Sequence, residues 1–405
     1  MSAESNGDDA VRRVVVVGGG LAGASAVEEL RAQGFDGDVA LVGAEPHLPY
    51  DRPPLSKDVL LGKKAADATT LHDASWYADR AVEVRTATVA RAVDLGRRVV
   101  VTDGGELGYD RLLLATGSAP RRLEVGDGTP TLTLREREDA ARLRRALEAG
   151  VHLVIVGAGW IGLEAAAAAR EAGCEVTVVE PQAQPLLGAL GPVIGAAFAD
   201  LHREHGVDLR LGVTFDETPP VAADLLLVAV GALPRTDLAR AAGLEVAPGA
   251  GGGVRVDAAL RTSDRRVWAA GDIADHDHPA LGRVRVEHWD NAIGQGRAAA
   301  RAMLAEPGEE QPYDGLPYFF TDQYDLGVEY VGHVPRGRDA AVVVRGDLER
   351  REAVVLWHDD GLVLAGMHLN TWDAIDGLRA VVGRRVDAAR LADPEADLAE
   401  LAGVS

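Results

Sequence analysis

Residues 11–45 read VRRVVVVGGGLAGASAVEELRAQGFDGDVALVGAE, and residues 151–180 read VHLVIVGAGWIGLEAAAAAREAGCEVTVVE. Both follow one plan: a continuous β-branched run, a glycine turn, a helix of small residues, then a second β-branched run. Unbroken apolar runs imply strands buried on both faces, and the strand–helix–strand order implies a parallel pair. The repeat therefore predicts two βαβ units. Gly18, Gly20 and Gly23 in the first turn, and Gly157, Gly159 and Gly162 in the second, fit the pattern G-x-G-x-x-G. The first glycine of such a turn permits the tight bend, the second admits a pyrophosphate against backbone N–H groups, and the third packs helix on strand. The helix N-terminus adds partial positive charge toward the phosphates. One such motif is weak evidence; two in matching context make an α/β chain with two Rossmann-like dinucleotide-binding domains.

The second strand of each unit ends where a ribose is read. Glu180 stands there in the second unit, and Pro181, Gln182, Ala183 and Gln184 follow it, with no arginine to receive a 2′-phosphate. A carboxylate accepts hydrogen bonds from the ribose hydroxyls and repels a phosphate, so this site favours NADH over NADPH. In the first unit the acid comes slightly late, as Glu45 after Gly43 and Ala44. Two dinucleotide sites in one chain suggest one held FAD and one exchanging nicotinamide nucleotide. Two more segments, LLLATGSAP (112–120) and VWAAGDIA (267–274), read as apolar strands ending in small-residue turns, and Asp272 in the second suits the flavin's ribityl hydroxyls.

Composition narrows the chemistry. The 405 residues suffice for two to four domains. A net charge of −21, from 63 acids and 42 bases, argues against a nucleic-acid partner, which needs a basic footprint. Only Lys57, Lys63 and Lys64 among those bases are lysines. The single cysteine, Cys174, excludes an internal disulfide, a CxxC redox pair and a multi-thiolate metal site. The polar N-terminus lacks a signal-like apolar segment, and no apolar run approaches the ~20 residues of a membrane span. A cytoplasmic chain with no membrane partner is the expectation, and PGAGGG (248–253) reads as a loop or hairpin tip.

The stretch LPYDRPPLSKDVL (48–60), followed by LLLATGSAPR, GAGWIGLEAA, VWAAGDIA, EHWDNAIGQGRAAA and PYFFTDQYDLGVEYVG (317–332), resembles the oxygenase-coupled ferredoxin reductases. These are a branch of the FAD-dependent pyridine-nucleotide reductases. The resemblance spans essentially the whole chain in order and spacing. It implies an FAD domain in two segments, 1–118 and 244–315, an NAD domain at 119–243 and a C-terminal α/β domain at 316–405. It also implies cofactor contacts at Ala22, Arg52, Lys57, Val89, Arg135, Ile161, Gly231, Asp272 and Trp289, with Lys57 and Glu164 paired beside flavin N5. Three positions depart from the family pattern: Ala44 where a ribose-binding acid is common, Phe320 in place of a tryptophan, and Arg235 in place of an asparagine. The partner implied is an iron–sulfur ferredoxin serving a haem monooxygenase or ring-hydroxylating dioxygenase. A rubredoxin reductase is the nearest variant. Apoptosis-inducing factor shares Arg-Pro-Pro-Leu-Ser-Lys, so an NADH-binding flavoprotein with slow turnover is the alternative from another class.

Lys57 is informative by itself. A chain that writes nearly every base as arginine keeps a lysine after a Pro-Pro turn, and a compact ammonium can address one atom where a guanidinium fork cannot. The chemistry expected is hydride transfer from NADH to FAD and then single electrons to the ferredoxin, with the protein positioning and tuning the cofactor. Cys174, between helix and strand, reads as a small core residue. The pairs His202/His205 and His276/His278 have spacings that could take a metal, yet read as ordinary solvated positions, so no metal site is expected. An acidic reductase meeting an acidic ferredoxin needs a local basic patch. Arg297, Arg336, Arg338, Arg345, Arg350 and Arg351 are the candidates, unless they pair with neighbouring acids. A monomer or a homodimer is the expectation.

Overall fold

The computed structural model describes residues 11–126, 128–216, 221–335 and 337–403. The chain forms two compact units. One takes the segment ending at Asp51 together with Thr69–Ala119 and Leu233–Gly315; the other takes Arg52–Ala68, Pro120–Ala232 and the segment from Leu316 onward.

The first unit is built on β1 (Arg13–Val17), α1 (Leu21–Ala32) and β2 (Asp38–Val42), the βαβ arrangement expected from the sequence. Its five-stranded sheet runs in the order Val267–Ala269, Arg111–Leu114, β1, β2, Val82–Arg85, and every pairing is parallel. Val14, Val15 and Val16 are wholly buried, as a strand covered on both faces requires. PGAGGG closes a narrow hairpin, where the Ala247 N–H donates to Gly253 O (2.9 Å) and Val246 bridges Val254.

The second unit repeats the plan with β3 (His152–Val156), α2 (Trp160–Glu171) and β4 (Glu175–Glu180), followed by α3 (Leu187–Glu204), which is broken by a kink at Gly191 (φ +78°) ahead of Pro192. Its parallel sheet has the order Asp208–Leu211, β4, β3, Leu225–Val228, Thr131–Leu132. The Pro53–Ser56 turn of 3-10 helix belongs to this unit, and α2 lies against it. Back in the first unit, α4 (Trp289–Leu304) crosses α1 closely: a Cβ on Gly296 would stand 2.3 Å from Ala22 O.

The C-terminal part of the second unit is a five-stranded antiparallel sheet. It starts with the hairpin β5 (Tyr318–Gln323) and β6 (Leu326–Gly332) and continues through Leu362–Leu369, Glu352–Asp359 and Ala341–Asp347. Short helices after Asn370, chiefly Ile375–Val381, cover it with Leu378 and Val381 fully buried. Strand β5 packs on α2, so the helix that follows the second glycine turn also contacts the C-terminal sheet.

Candidate functional site

In the first unit the glycine turn is shaped by backbone contact. Gly18 has φ +129°, and a Cβ there would lie 2.0 Å from Ala115 O; a Cβ on Gly23 would lie 2.0 Å from Gly18 O. Both places exclude any side chain. Gly20 caps α1 and faces nothing within 4 Å, which leaves room above the helix N-terminus for a phosphate. Around the turn, Ala22 is buried beneath Gly271 and Gly296. Asp272 accepts from Ser118 Oγ (2.6 Å), the Gly271 N–H donates to Gln295 Oε1 (2.9 Å), and the Trp289 indole N–H donates to Asp51 Oδ1 (2.9 Å). Glu45 accepts from the Tyr50 hydroxyl at 2.5 Å, and the half-buried Val89 donates its N–H to Asp103 (3.0 Å). Gly18, Gly20, Ala22, Gly23, Glu45, Val89, Asp272 and Trp289 thus all belong to this unit.

The second unit repeats the geometry. A Cβ on Gly157 would meet Ala229 O at 2.5 Å and one on Gly162 would meet Gly157 O at 2.1 Å, while Gly159 caps α2 with nothing within 4 Å. Gly231, with φ +89°, follows the neighbouring strand and is also open. Ile161 is one of only three large apolar side chains left exposed among the described residues, at 43%, and stands beside the turn. The buried Glu180 carboxylate accepts from the Ala158 N–H (2.8 Å) with one oxygen and from the Gln182 N–H (3.0 Å) with the other. It therefore holds the turn in shape, and each oxygen keeps a further lone pair for a ribose hydroxyl. These glycines, Ile161, Glu180 and Gly231 gather at the C-terminal edge of a parallel sheet, where nucleotides bind in folds of this kind.

Five residues beyond its capping glycine, α2 carries Glu164. Its carboxylate is 6% exposed and accepts three donors: Lys57 Nζ (2.7 Å) and Thr321 Oγ1 (2.7 Å) on one oxygen, and Ser56 Oγ (2.5 Å) on the other. Such charge-assisted bonds are stronger than neutral ones. The Lys57 ammonium also stands 5.4 Å from the centre of the Phe320 ring, close enough for a cation–π attraction. Arg52 donates to the Arg135 carbonyl (2.7 Å), and the Arg135 N–H donates to Asp139 (3.1 Å) at the start of the next helix. Lys57 and Arg135, which the sequence resemblance ties to the flavin, and Arg52, which it ties to a cofactor, all lie in this second unit. Ser56, Thr321, Gln323 and Gln295 were missed; their partners are 24 to 157 positions away, a separation that no local pattern exposes.

Several expectations need correction. His202, His276 and His278 are not solvated: each is at most 3% exposed. His202 bonds Gln323 (2.9 Å), His276 bonds Ala258 O (3.2 Å), and His278 accepts the N–H groups of Ala280 and Leu281 while its other nitrogen faces Gly315 O. His276 and His278 lie on a strand, Ala274–His278, instead of flanking a loop. Burial lowers the pKa of all three. Among the candidate docking arginines, Arg345 is 8% exposed and donates to the carbonyls of Asp393 and Ala396, so it is a fastening in the C-terminal sheet. Arg297 pairs with Glu28, Arg338 with Asp359, and Arg351 with Glu204 and Asp325. Arg350 is exposed, and Arg336 lies outside the described residues. Cys174 is the core residue expected: it is 1% exposed, its S–H donates to Leu147 O (3.3 Å), and burial pushes its pKa up. Among the described residues no group of three or more His, Cys, Asp and Glu is placed to hold a metal ion, and no helix is long and apolar enough to cross a membrane.

Comparison with known proteins agrees with this arrangement. Residues 12–296 match the family described as pyridine nucleotide-disulphide oxidoreductase, and residues 318–402 match the one described as reductase C-terminal. The chain is 38% identical to the ferredoxin–NAD(+) reductase component of the anthranilate 1,2-dioxygenase system of Burkholderia cepacia, over 95% of this chain and 98% of that one. It is 35% identical to putidaredoxin reductase of Pseudomonas putida, over 87% of each. A crystal structure of a covalent putidaredoxin reductase–putidaredoxin complex superposes with a TM-score of 0.89 at 34% identity, covering 97% of this chain and 98% of that one.

Proposed function

The chain belongs to the pyridine nucleotide-disulphide oxidoreductase family, and from that premise we propose that it is the NADH-dependent ferredoxin reductase of an oxygenase system, working in the cytoplasm. The relatives carrying that activity match it along nearly their whole length. FAD and NADH are its cofactors. We assign FAD to the turn at Gly18–Gly23 and NADH to the turn at Gly157–Gly162.

The observation that carries the reading is the placement of two functions on one helix. Helix α2 begins at the open glycine turn and five residues later presents Glu164, which holds Lys57. A nucleotide bound at that N-terminus therefore lies within the same element as a buried, oriented ammonium. When bound, FAD supplies the conversion of a two-electron donor into a one-electron donor. The protein's own part is to bind, orient and exclude. Gly159 and the first N–H groups of α2 receive the pyrophosphate, Glu180 receives the ribose, and the exposed face of Ile161 offers apolar contact to the nucleotide. Lys57, held by Glu164 and the Phe320 ring while Ser56 and Thr321 fix the Glu164 carboxylate, is a preoriented positive charge that would stabilise a reduced cofactor. Ser118 orients Asp272 in the turn assigned to the ribityl chain.

Thiol chemistry has no place in this scheme, because the one cysteine is buried with a raised pKa. The test is steady-state cytochrome c reduction by NADH, with and without purified ferredoxins and rubredoxins. Fast turnover that depends on an added ferredoxin is expected. Slow oxidation with a long-lived NADH–flavin charge-transfer band, unaffected by any acceptor protein, would overturn the assignment.

A further inference from the structure

We propose that His202, Gln323 and Thr321 are positioning residues for the Lys57–Glu164 pair, acting through a one-way chain of hydrogen bonds that ends on the Glu164 carboxylate. The inference rests on the reading of that pair given above and extends it to residues far outside the glycine turns in the sequence.

The direction of the chain follows from donor and acceptor chemistry. A carboxylate oxygen only accepts, so Thr321 Oγ1–H donates to Glu164 (2.7 Å). Having spent its proton, Thr321 Oγ1 must accept from Gln323 Nε2 (3.1 Å). Gln323 Oε1 then faces His202 Nε2 at 2.9 Å, and an amide oxygen can only accept, so that ring nitrogen carries the hydrogen. His202 Nδ1 is left as an acceptor, with the Tyr324 hydroxyl 3.5 Å away. Every donor thus points toward Glu164, and dipoles aligned in a medium of low polarisability reinforce one another. Thr321, Gln323 and His202 are each at most 1% exposed. Burial keeps the His202 ring neutral near pH 7, so it holds a single N–H to give.

The outer end is anchored where the hairpin β5–β6 turns. Tyr324 sits there at φ +56°, a conformation costly for a side-chain-bearing residue. Its ring stacks on His205 with centres 3.6 Å apart, and Arg351 bridges Glu204 and Asp325. The end of α3 and the turn of the hairpin are therefore tied together, and the buried chain runs from that tie to Glu164. A shift of β5 against α3 would move the Thr321 hydroxyl off the carboxylate and loosen the orientation in which Glu164 holds Lys57.

The three lysines of the chain make the test direct. In holoenzyme labelled with [15N]lysine, Lys57→Arg identifies the Lys57 ammonium resonance, which is expected to exchange slowly, unlike those of Lys63 and Lys64. In His202→Leu that resonance should broaden into fast exchange, and reduction of the bound flavin by NADH in single turnover should slow roughly tenfold through misplacement of the pair. His202→Gln, whose amide N–H reaches the same place, should restore both. Should His202→Leu fail to fold, Gln323→Met gives the same test with little change of volume. An unchanged Lys57 resonance in the folded leucine or methionine variant overturns the proposal. A changed resonance with no slowing, in a protein where Lys57→Arg also reduces at the normal rate, supports the positioning role and overturns the placement of the pair at the reaction.

Discussion

The Glu180 carboxylate accepts one backbone N–H from the glycine turn and another from Gln182, so the ribose contact proposed for it would share its two oxygens with a structural role. Glu180→Arg is accordingly expected to raise the ratio of NADPH to NADH use and also to lower stability, by about 1–3 kcal/mol for the buried N–H left without an acceptor. Paired kinetics and thermal melts check both halves; an unchanged cofactor ratio removes the ribose role. His202 gives a pH test. Its pKa falls from 6.5 to about 4 because it is buried, so the unfolded chain binds a proton that the folded one refuses. Above pH 6.5 this costs nothing, and stability is lost as the pH drops from there toward 4. Proton uptake on unfolding at pH 5.5 should fall by about one in His202→Gln, measured as the pH dependence of the urea midpoint. The remaining uptake comes in part from His276 and His278, whose pKa values are lowered in the same sense by burial.

At the scale of elements, the two glycine turns separate folding from binding. Gly162 faces Gly157 O so closely that a methyl group must push α2 off its strand, whereas Gly159 faces open space. Gly162→Ala should therefore lower the melting temperature and weaken NADH binding together. Gly159→Ala should leave the apo melting temperature unchanged and still weaken NADH binding, because its methyl group fills the place of the pyrophosphate. Calorimetry and nucleotide titration of the two variants decide the point, and a destabilised Gly159→Ala protein would contradict it. The βαβ units are legible in the sequence because β1 pairs with β2 and β3 with β4 within one repeat, whereas Ala115 and Ala229, which close on Gly18 and Gly157, follow strands outside it. The C-terminal hairpin is legible only as a motif. That β5 lies against α2, and that Thr321 reaches Glu164 across 157 positions, depends on packing between distant segments.

The whole molecule carries a charge of −21, and Arg297, Arg338 and Arg351, among the arginines proposed as a ferredoxin dock, are already matched with acids of their own unit. Arg297 stays a candidate: its side chain is 49% exposed and its contact with Glu28 is long, at 3.7 Å, so a partner's carboxylate can compete for it. Surface pairs of this kind are worth about 0–1 kcal/mol. Arg297→Glu is expected to slow ferredoxin reduction several-fold while NADH–ferricyanide turnover keeps its rate; equal loss in both assays assigns Arg297 to stability instead. The sequence by itself determined the two nucleotide-binding repeats, the absence of dithiol chemistry and the singling out of Lys57, because glycine spacing, cysteine count and lysine scarcity are properties of the chain as written. Only the tertiary structure decided which histidines are buried, which arginines are neutralised, and that Ser56 and Thr321 join Lys57 on the Glu164 carboxylate. Burial and pairing are set by segments that meet in space, and the energy of a buried charge depends on those neighbours more than on its place in the chain.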